Sequence, residues 1–238
     1  MTPDHASPAE LAAEIAAACG RCGVAVPPEA VPGIAAYASS LWAWNERLNL
    51  TRHSDVERFV TRDVADAAAI APHLAPGERV LDVGTGGGVP GVLLAILRPD
   101  LRVELSDSVG KRARAVQAIV AEIGLRLPVH ATAAQGLVAA AGGDRFDTLV
   151  VRAVAPLVKL LGWFEPLCDR FGRLLLIKGP RWEEEKGEAR HRGHVKRVTV
   201  RRIAAWPIRG SDNESVLLEI RRRDRDAAAA SPPPEDRA

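Results

Sequence analysis

VLDVGTGGGVPG, residues Val80–Gly91, decides the fold of this chain. An apolar, strand-like run leads into a glycine-rich turn, and the chain continues as a helix-like run, VPGVLLAIL. Glycines between a strand and a helix let the backbone N–H groups at the helix start approach the oxygens of a ligand. The stretch therefore predicts a ligand-binding loop, and its alternative is a tight turn that binds nothing.

The spacing of the glycines separates the ligand classes. The dinucleotide fingerprint needs glycine at its first, third and sixth positions, and the sixth position here is Val89. A phosphate-binding P-loop needs Gly-Lys-Ser/Thr next, and no lysine follows. What remains is Asp82-x-Gly84-x-Gly86-x-Gly88, an acidic residue two positions before a GxGxG.

That spacing resembles the first motif of the S-adenosylmethionine-dependent methyltransferases with the doubly wound fold. Asp107 ends the second predicted strand, 23 residues after Gly84, where a carboxylate can accept hydrogen bonds from both hydroxyls of a ribose. The alternative role for Asp107 is to cap the helix that begins with GKRARA. We expect S-adenosylmethionine as cofactor, with a binding site that includes Asp82, Gly84, Gly86, Gly88 and Asp107.

From Arg79 onward, strand-like and helix-like segments alternate, which predicts a mainly parallel sheet with helices on both faces. The last two strands are separated by about ten residues, too few for a crossover helix, so they should form a hairpin. The predicted strands are RVLDVG, RVELSD, LPVHATA, FDTLVVRAV, GRLLLIKG, VKRVTVRRIAAW and ESVLLEIRR. The predicted fold class is therefore α/β: a doubly wound, mainly parallel sheet of seven strands, Rossmann-like, as in class I S-adenosylmethionine-dependent methyltransferases, with an N-terminal helical extension.

The N-terminal part of the chain is predicted to be helical. The segment SPAELAAEIAAACG has a Ser7 cap, Glu10 three residues later and Gly20 as a stop. Two more helices are predicted over Pro28–Leu48 and Ser54–Ala71. We expect a helical region over residues 1–75 packed on the core, a methyltransferase domain over 76–222 and a disordered tail over 223–238, because DRDAAAASPPPEDRA has no core-forming residues.

Composition predicts a soluble cytoplasmic protein. No apolar run reaches the length of about 18 residues that spans a bilayer, so no membrane partner is expected. The N-terminus has neither the basic start nor the apolar core of a secretion signal. Three cysteines are too few for a disulfide scaffold, and the lone motif Cys19-Gly-Arg-Cys22 lacks the second pair of a zinc site. We therefore predict no metal centre.

The charge is distributed unevenly along the chain. Residues 1–78 carry ten acidic and five basic side chains, and this balance favours helices that cap the sheet over helices that touch RNA. Arg190–Arg209 carries seven Lys or Arg, two His and no carboxylate. A cluster of cations indicates a polyanionic partner such as nucleic acid. The alternative is a strand face whose basic side chains point to water.

Several segments in order resemble one family. LDVGTGGGVPGVLLAILRPD, followed by DSVGKR, resembles the ribosomal RNA small subunit methyltransferase G family, also called glucose-inhibited division protein B. WAWNERLNLT upstream, and VVRAVAPL and LLLIKG downstream, resemble further segments of the same family, from Trp42 to Gly179. The resemblance implies methyl transfer to N7 of a guanine in 16S rRNA. Expected partners are therefore 16S rRNA or the small ribosomal subunit, with no DNA, and the protein is expected to be a monomer.

The resemblance also implies roles for single residues. Gly84 and Val89 would line the cofactor site, and Ala133 and Ala134 would contact the adenine end. Arg152 would lie at the junction of cofactor and target base.

We predict Arg152 and Lys178 as the catalytic residues, because both follow strands at the sheet edge where open α/β folds bind ligands. The alternatives are a structural ion pair for Arg152 and an ordinary surface position for Lys178. The chain departs from the family pattern at Asp63, where relatives usually have histidine. NESVLLEI also lacks the Arg or Lys that commonly precedes its apolar run.

The chemistry of the motifs agrees with an N7 acceptor. Methylation of an exocyclic amine usually involves an Asn/Asp-Pro-Pro-aromatic motif after the fourth strand, which here ends in VVRAVAP. Methylation of a pyrimidine carbon needs a cysteine nucleophile, and Cys168 lies in an apolar segment where we expect it in the core. Two alternatives stay open: a methyltransferase of this fold acting on a small molecule or protein, and an RNA-binding protein with a vestigial cofactor loop.

Overall fold

Helix α1 (Pro8–Cys22) begins with the predicted capping box. The Ser7 hydroxyl accepts a hydrogen bond from the Glu10 N–H (3.3 Å), and the Glu10 carboxylate accepts one from the Ser7 N–H (2.7 Å). The predicted stop at Gly20 is wrong. The helix continues to Cys22 and ends at Gly23, whose left-handed φ of 67° lets its N–H reach the last carbonyl groups. The computed structural model describes residues 7–209 and 212–223.

Two further helical segments follow α1. A 3₁₀ turn (Pro28–Ala30) leads into α2 (Val31–Leu48). The third predicted helix is one continuous run of changing type: α3 (Val56–Arg58), a π-helical segment (Phe59–Val64), α4 (Ala65–Ile70) and a 3₁₀ turn (Ala71–His73). The π-helical form is rare and is frequent at functional sites.

The predicted seven-stranded, doubly wound sheet is confirmed. Its strand order is β3-β2-β1-β4-β5-β7-β6. Neighbours among β1 to β5 pair in parallel, whereas β7 is antiparallel to β5 and forms the predicted hairpin with β6. The strands are β1 (Arg79–Val83), β2 (Arg102–Ser106), β3 (Val129–His130), β4 (Phe146–Arg152), β5 (Phe171–Lys178), β6 (Val198–Pro207) and β7 (Glu214–Arg222).

Five helices connect the strands: α5 (Gly91–Leu97), α6 (Gly110–Glu122), α7 (Ala134–Ala140), α8 (Leu157–Phe164) and α9 (Trp182–His191). The sequence did not predict α7 and α9. The third strand is shorter than predicted because the chain leaves the sheet after His130 and turns into α7.

Buried side chains form two clusters, one on each face of the sheet. Along β4, Val150 belongs to the cluster under α1, α2, α5 and α6, whereas Leu149 and Val151 belong to the cluster under α7 and α8. This alternation is the period of two that a strand covered on both faces requires. Cys168 is buried in the second cluster, as predicted.

The remaining predictions concern the ends and the surface. Residues 224–238, most of the predicted tail, lie outside the described residues. Among the helices that are described, none is long and apolar enough to cross a membrane.

Candidate functional site

The glycine loop joins β1 to α5 at the carboxyl edge of the sheet. Gly84 and Gly86 have left-handed φ angles of 67° and 61°. A Cβ on Gly84 would lie 2.7 Å from the side chain of Val154, the second residue after β4, so glycine allows these two loops to touch. A Cβ on Gly86 would point into open space, with its nearest neighbour 4.0 Å away. The loop thus leaves a cradle above Gly86 in which a ligand can approach the backbone.

The rest of the loop turns inward. Gly88 is buried, and its N–H donates to the carbonyl oxygen of Thr85 (2.8 Å). The hydroxyl of Tyr37 donates to the carbonyl oxygen of Gly87 (2.9 Å), so helix α2 braces the loop from below. Val89 is half-buried at the start of the turn into α5. The geometry gives Gly88 a packing role and leaves Gly84, Gly86 and Val89 partly accessible.

Asp82 lies beneath the loop and is only 1% exposed. Its Oδ2 accepts hydrogen bonds from the Thr85 hydroxyl (2.6 Å) and from the Gly91 N–H (2.9 Å). Its Oδ1 is buried and has no hydrogen-bond partner among the described residues. Burial raises the pKa of Asp82 to about 6, although both hydrogen bonds act against this rise. A buried carboxylate oxygen without a partner fits a site that expects a donor from a ligand.

Asp107 accepts two backbone hydrogen bonds beside the glycine loop. Its Oδ2 accepts a hydrogen bond from the N–H of Gly86 (3.0 Å), which ties the end of β2 to the glycine loop. Its Oδ1 accepts one from the N–H of Val109 (2.8 Å), in the turn that starts α6. Each carboxylate oxygen can accept a second bond. The carboxylate therefore lies beside the cradle with acceptor capacity left for ribose hydroxyls.

The end of β3 lies next to Asp107, whose N–H donates to the carbonyl oxygen of His130 (3.1 Å). Ala133 is exposed in the short connection that follows, and Ala134 begins α7 and is buried in the second cluster. The carboxyl ends of β1, β2 and β3 thus meet at one edge. These residues and the loop form the half of the site that suits a nucleoside-bearing cofactor.

Arg152, the last residue of β4, is held by two carboxylates. Its Nη2 lies 2.6 Å from Asp63 Oδ1 and its Nε lies 3.2 Å from Asp66 Oδ2. His53 Nδ1 lies 2.9 Å from the same Asp63 oxygen. Burial alone would lower the pKa of Arg152, but the two aspartates outweigh burial and raise it. The structural ion pair that was the alternative for Arg152 is present, while its Nη1 is buried without a partner among the described residues.

The partners of Arg152 come from the N-terminal helices. Asp63 lies in the π-helical segment and Asp66 follows it in α4. The expectation that these helices only cap the sheet is therefore too narrow, since they supply charged side chains to the candidate site. The sequence carried a signal for this: the two aspartates are three residues apart and so share a helix face with the apolar side chains of Val60 and Ala67, where a buried carboxylate needs a cation.

Lys178, the last residue of β5, is not an ordinary surface lysine. Its side chain is 11% exposed and pairs with Glu185 at 2.7 Å. It also donates to the carbonyl oxygen of Ala155 (2.8 Å), and Glu185 accepts from the N–H of Leu157 (2.6 Å). Lys178 and Glu185 thus fasten the loop after β4 to helix α9.

A cavity of about 420 Å³ lies at the ends of β4 and β5. Ala153, in its wall, has a φ of 54°, an uncommon angle for a residue with a side chain. Such backbone strain is concentrated at binding and catalytic sites. The cavity is lined by His53, Arg62, Asp66, Arg152, Ala153, Ile177, Lys178, Gly179, Pro180, Arg181, Glu185, Ile208 and Ser215.

The basic segment Arg190–Arg209 is more neutralised than its sequence suggests. Four of its seven cations pair with acidic side chains from outside the segment, so fewer of them are left to contact a polyanionic partner. These pairs are Arg192–Glu188, Arg197–Asp169, Arg202–Glu214 and Arg209–Glu57. At the cavity, Arg62 and Arg181 lie in no ion pair with any described residue, and the sequence analysis did not single them out.

The described residues contain no group of three or more His, Cys, Asp or Glu side chains that could hold a metal ion. Cys19 and Cys22 are free thiols at the end of α1, remote in the fold from the glycine loop.

Two solved structures resemble the fold. A methyltransferase from Pyrococcus furiosus has a TM-score of 0.51 and 17% identity, and the match covers 79% of this chain and 98% of that one. TrmK from M. capricolum, in complex with S-adenosyl-homocysteine, has a TM-score of 0.51 and 11% identity, with 66% and 67% covered. At such low identity the likeness shows a shared fold alone.

Sequence comparison is more specific. A family model described as GidB, rRNA small subunit methyltransferase G, matches residues 31–209. A protein of Rhodopirellula baltica named ribosomal RNA small subunit methyltransferase G is 49% identical over 172 residues, 72% of this chain and 73% of the relative. A protein of the same name from Chlorobium luteolum is 34% identical over 192 residues, with 80% and 79% covered. The resemblance predicted from the motifs is confirmed, and the chain belongs to the GidB family, the rRNA small subunit methyltransferases G.

Proposed function

We propose that this protein transfers a methyl group from S-adenosylmethionine to N7 of a guanine in 16S rRNA. One observation carries the proposal: the glycine cradle beside Asp107 and the cavity at the ends of β4 and β5 lie at the same carboxyl edge of the sheet, where β1 is the neighbour of β4. The names of the relatives, which are methyltransferases of small subunit rRNA, support the class of acceptor.

The cofactor half would be held by the ends of β1, β2 and β3. The open space above Gly86 admits the ligand to the backbone, and Asp107 can accept bonds from the ribose hydroxyls. The unpartnered oxygen of Asp82 can accept a bond from a ligand donor or from a water that bridges to it. We include Gly84, Gly88 and Val89 as residues that shape this site, and Ala133 and Ala134 as neighbours of the adenine end.

The cavity would receive the target base. When bound, S-adenosylmethionine supplies a methyl group made electrophilic by its sulfonium. The N7 lone pair attacks the methyl carbon while the carbon–sulfur bond breaks and its electron pair stays on sulfur. Since N7 carries no proton, the site needs orientation and electrostatic complementarity rather than a general base. The pairing of Lys178 with Glu185 in the cavity agrees with a site that positions its ligand, because the two charges neutralise one another.

Arg152 and Lys178 would position the acceptor. Arg152 lies between the two halves, and Asp63 and Asp66 fix its guanidinium. It directly precedes Ala153, and both residues line the cavity. Lys178 holds the carbonyl of Ala155 and the carboxylate of Glu185, and so fixes the loops that follow β4 and β5. We assign both residues to positioning rather than to proton transfer, because their charges are already paired.

Methyl transfer to rRNA from cells that lack the protein tests the proposal. Small subunits and 16S rRNA from such cells are incubated with purified protein and labelled S-adenosylmethionine, and the product is mapped by mass and by cleavage at 7-methylguanosine. We expect one labelled guanine. Labelling of small acceptors but not of rRNA would favour the small-molecule alternative, and no cofactor binding at millimolar concentration in calorimetry would favour the vestigial loop. Action on ribosomes implies the cytoplasm, and we expect a monomer without DNA or membrane partners.

A further inference from the structure

Asp66 places a buried carboxylate in the wall of the cavity. Its Oδ1 accepts a hydrogen bond from Trp206 Nε1 (3.2 Å), and its Oδ2 pairs with Arg152 Nε (3.2 Å). The side chain is 10% exposed and lines the cavity. A carboxylate offers about four lone-pair positions, so each oxygen keeps one acceptor position.

Asp66 is one of two carboxylates in a cavity lining that also carries four Lys or Arg side chains. In the ion-pair group itself, Asp63 and Asp66 outnumber Arg152 by one charge when all are ionised. At Asp66 the open acceptor positions favour a ligand edge that offers N–H donors. Arg62 and Arg181, which lie in no ion pair with the described residues, provide positions for the phosphates that flank a base.

We propose that Asp66 recognises the target base as guanine by accepting hydrogen bonds from its N1–H and from its 2-amino group. Guanine offers these two donors side by side, which matches the two oxygens of a carboxylate. Adenine presents an unprotonated N1 at the same place, and its lone pair would face the carboxylate. This inference rests on the proposed function and names the residue that selects the base.

The contact also suits the reaction. Attack by N7 leaves the positive charge of the former sulfonium on the purine ring, and a cationic ring makes N1–H a stronger donor. The bond from N1–H to Asp66 therefore strengthens as the methyl group moves, which stabilises the transition state more than the bound substrate. The N1 and 2-amino edge lies across the purine from N7. Asp66 can hold the first edge and leave N7 facing the cofactor half.

Inosine provides the test, because it keeps N7, O6 and N1–H and lacks only the 2-amino group. Once the methylated position is mapped, 16S rRNA is prepared by ligation with guanosine or inosine at that position. Single-turnover methylation of both RNAs is measured with the wild type, Asp66→Asn and Glu122→Gln. Glu122 is the matched control, since it is a carboxylate that also accepts a hydrogen bond from an indole N–H, that of Trp44, and is not part of the cavity lining. Calorimetry measures cofactor affinity in all three proteins.

We expect the wild type to methylate guanosine about 10 to 100 times faster than inosine, the value of a hydrogen bond to a charged group. Asp66→Asn should bind the cofactor normally, react slowly with both RNAs and show a ratio near one, whereas Glu122→Gln should keep the wild-type ratio. If the wild type methylates guanosine and inosine RNA at nearly the same rate, the inference is overturned, even where Asp66→Asn does not fold. It is also overturned if a folded Asp66→Asn keeps the wild-type ratio of the two rates. If the wild type methylates no rRNA guanine at N7, the proposed function fails instead and takes this inference with it.

Discussion

Burial of the ionised Asp82 carboxylate lowers the stability of the folded protein. Its Oδ1, which has no hydrogen-bond partner among the described residues, is able to accept a bond from a ligand. Its folded-state pKa of about 6 lies above 3.8, the ordinary value for an aspartate. Between these values the folded state binds more protons than the unfolded state, so the free energy of unfolding falls as the pH rises from about 4 to about 6. Above pH 6 the buried carboxylate is ionised and the cost is complete. Proteins retain a destabilising group of this kind where their activity depends on it.

Replacing Asp82 by Asn should therefore separate stability from binding. The amide oxygen can still accept from Thr85 and Gly91, and the buried charge is gone. We expect the free energy of unfolding at pH 7.5 to stay the same or rise, its decline between pH 4 and 6 to become shallower, and the affinity for S-adenosylmethionine to fall about tenfold. Thermal unfolding across pH and calorimetry measure these effects.

Asp169 is the matched control, since hydrogen bonds from Arg222 and Arg197 lower the pKa of its exposed carboxylate. Its stabilising effect is present at neutral pH and is lost as the pH falls through its folded-state pKa, so Asp169→Asn should flatten the acid side of the curve instead. A large loss of stability at pH 7.5 in Asp82→Asn would contradict the binding role.

Arg152→Ala should reduce stability as well as methyl transfer. The variant leaves the carboxylates of Asp63 and Asp66 buried without the guanidinium that pairs with both. We expect the free energy of unfolding to fall by about 3–5 kcal/mol. The double variant Asp63→Asn/Arg152→Met should recover part of that stability and none of the activity, as measured by chemical denaturation and labelled methyl transfer. Stability unchanged in Arg152→Ala would mean that the ion pairs contribute nothing.

At the scale of elements, local signals predicted local structure. The capping box of α1, the glycine loop and the residues at the carboxyl ends of β4 and β5 depend on neighbours within a few residues. Their positions could therefore be predicted from the sequence. The π-helical segment could not be predicted in this way, because it carries Asp63 toward Arg152, 89 residues along the chain. The cavity was missed for the same reason, since residues as distant as Asp66 and Trp206 meet in it or beside it.

Trp206→Phe tests the link between the β6–β7 hairpin and helix α4. Burial raises the pKa of Asp66 to about 6, Arg152 and Arg62 lower it, Asp63 raises it, and the hydrogen bond from Trp206 lowers it. Without the indole N–H the pKa of Asp66 should rise further. If the ionised carboxylate serves the reaction, methyl transfer should increase with pH through about 6 in the wild type and at higher pH in the variant.

The pH profile of single-turnover methylation measures this shift. Trp44→Phe is the matched control, because Trp44 donates its indole N–H to Glu122, away from the cavity, and its profile should match the wild type. Coincident profiles for Trp206→Phe and the wild type would show that Asp66 does not control the rate.

At the scale of the whole molecule, folding brings acidic side chains from other parts of the chain to four of the seven cations of Arg190–Arg209. Net charge is +2, and the basic segment that suggested nucleic acid meets acidic partners from α3, α9, the loop before β5 and β7. What distinguishes the cavity edge is therefore the position of Arg62 and Arg181, which line the cavity beside the Asp66 carboxylate and form no ion pair with a described residue. A nucleotide fits this pattern, with its phosphates toward the arginines and its base toward Asp66.

Salt dependence separates this arrangement from general attraction. In Arg62→Ala/Arg181→Ala, affinity for 16S rRNA should fall, and the slope of log affinity against log salt should decrease by about 1 to 1.5, at about 0.7 per phosphate contact. Arg126→Ala/Arg145→Ala removes the same charge from exposed loops that precede β3 and β4, at the opposite edge of the sheet. Filter binding across a salt series should leave the slope of this control unchanged. Equal decreases of the slope in both variants would mean that RNA affinity depends on the total charge of the protein. They would contradict specific phosphate contacts by Arg62 and Arg181.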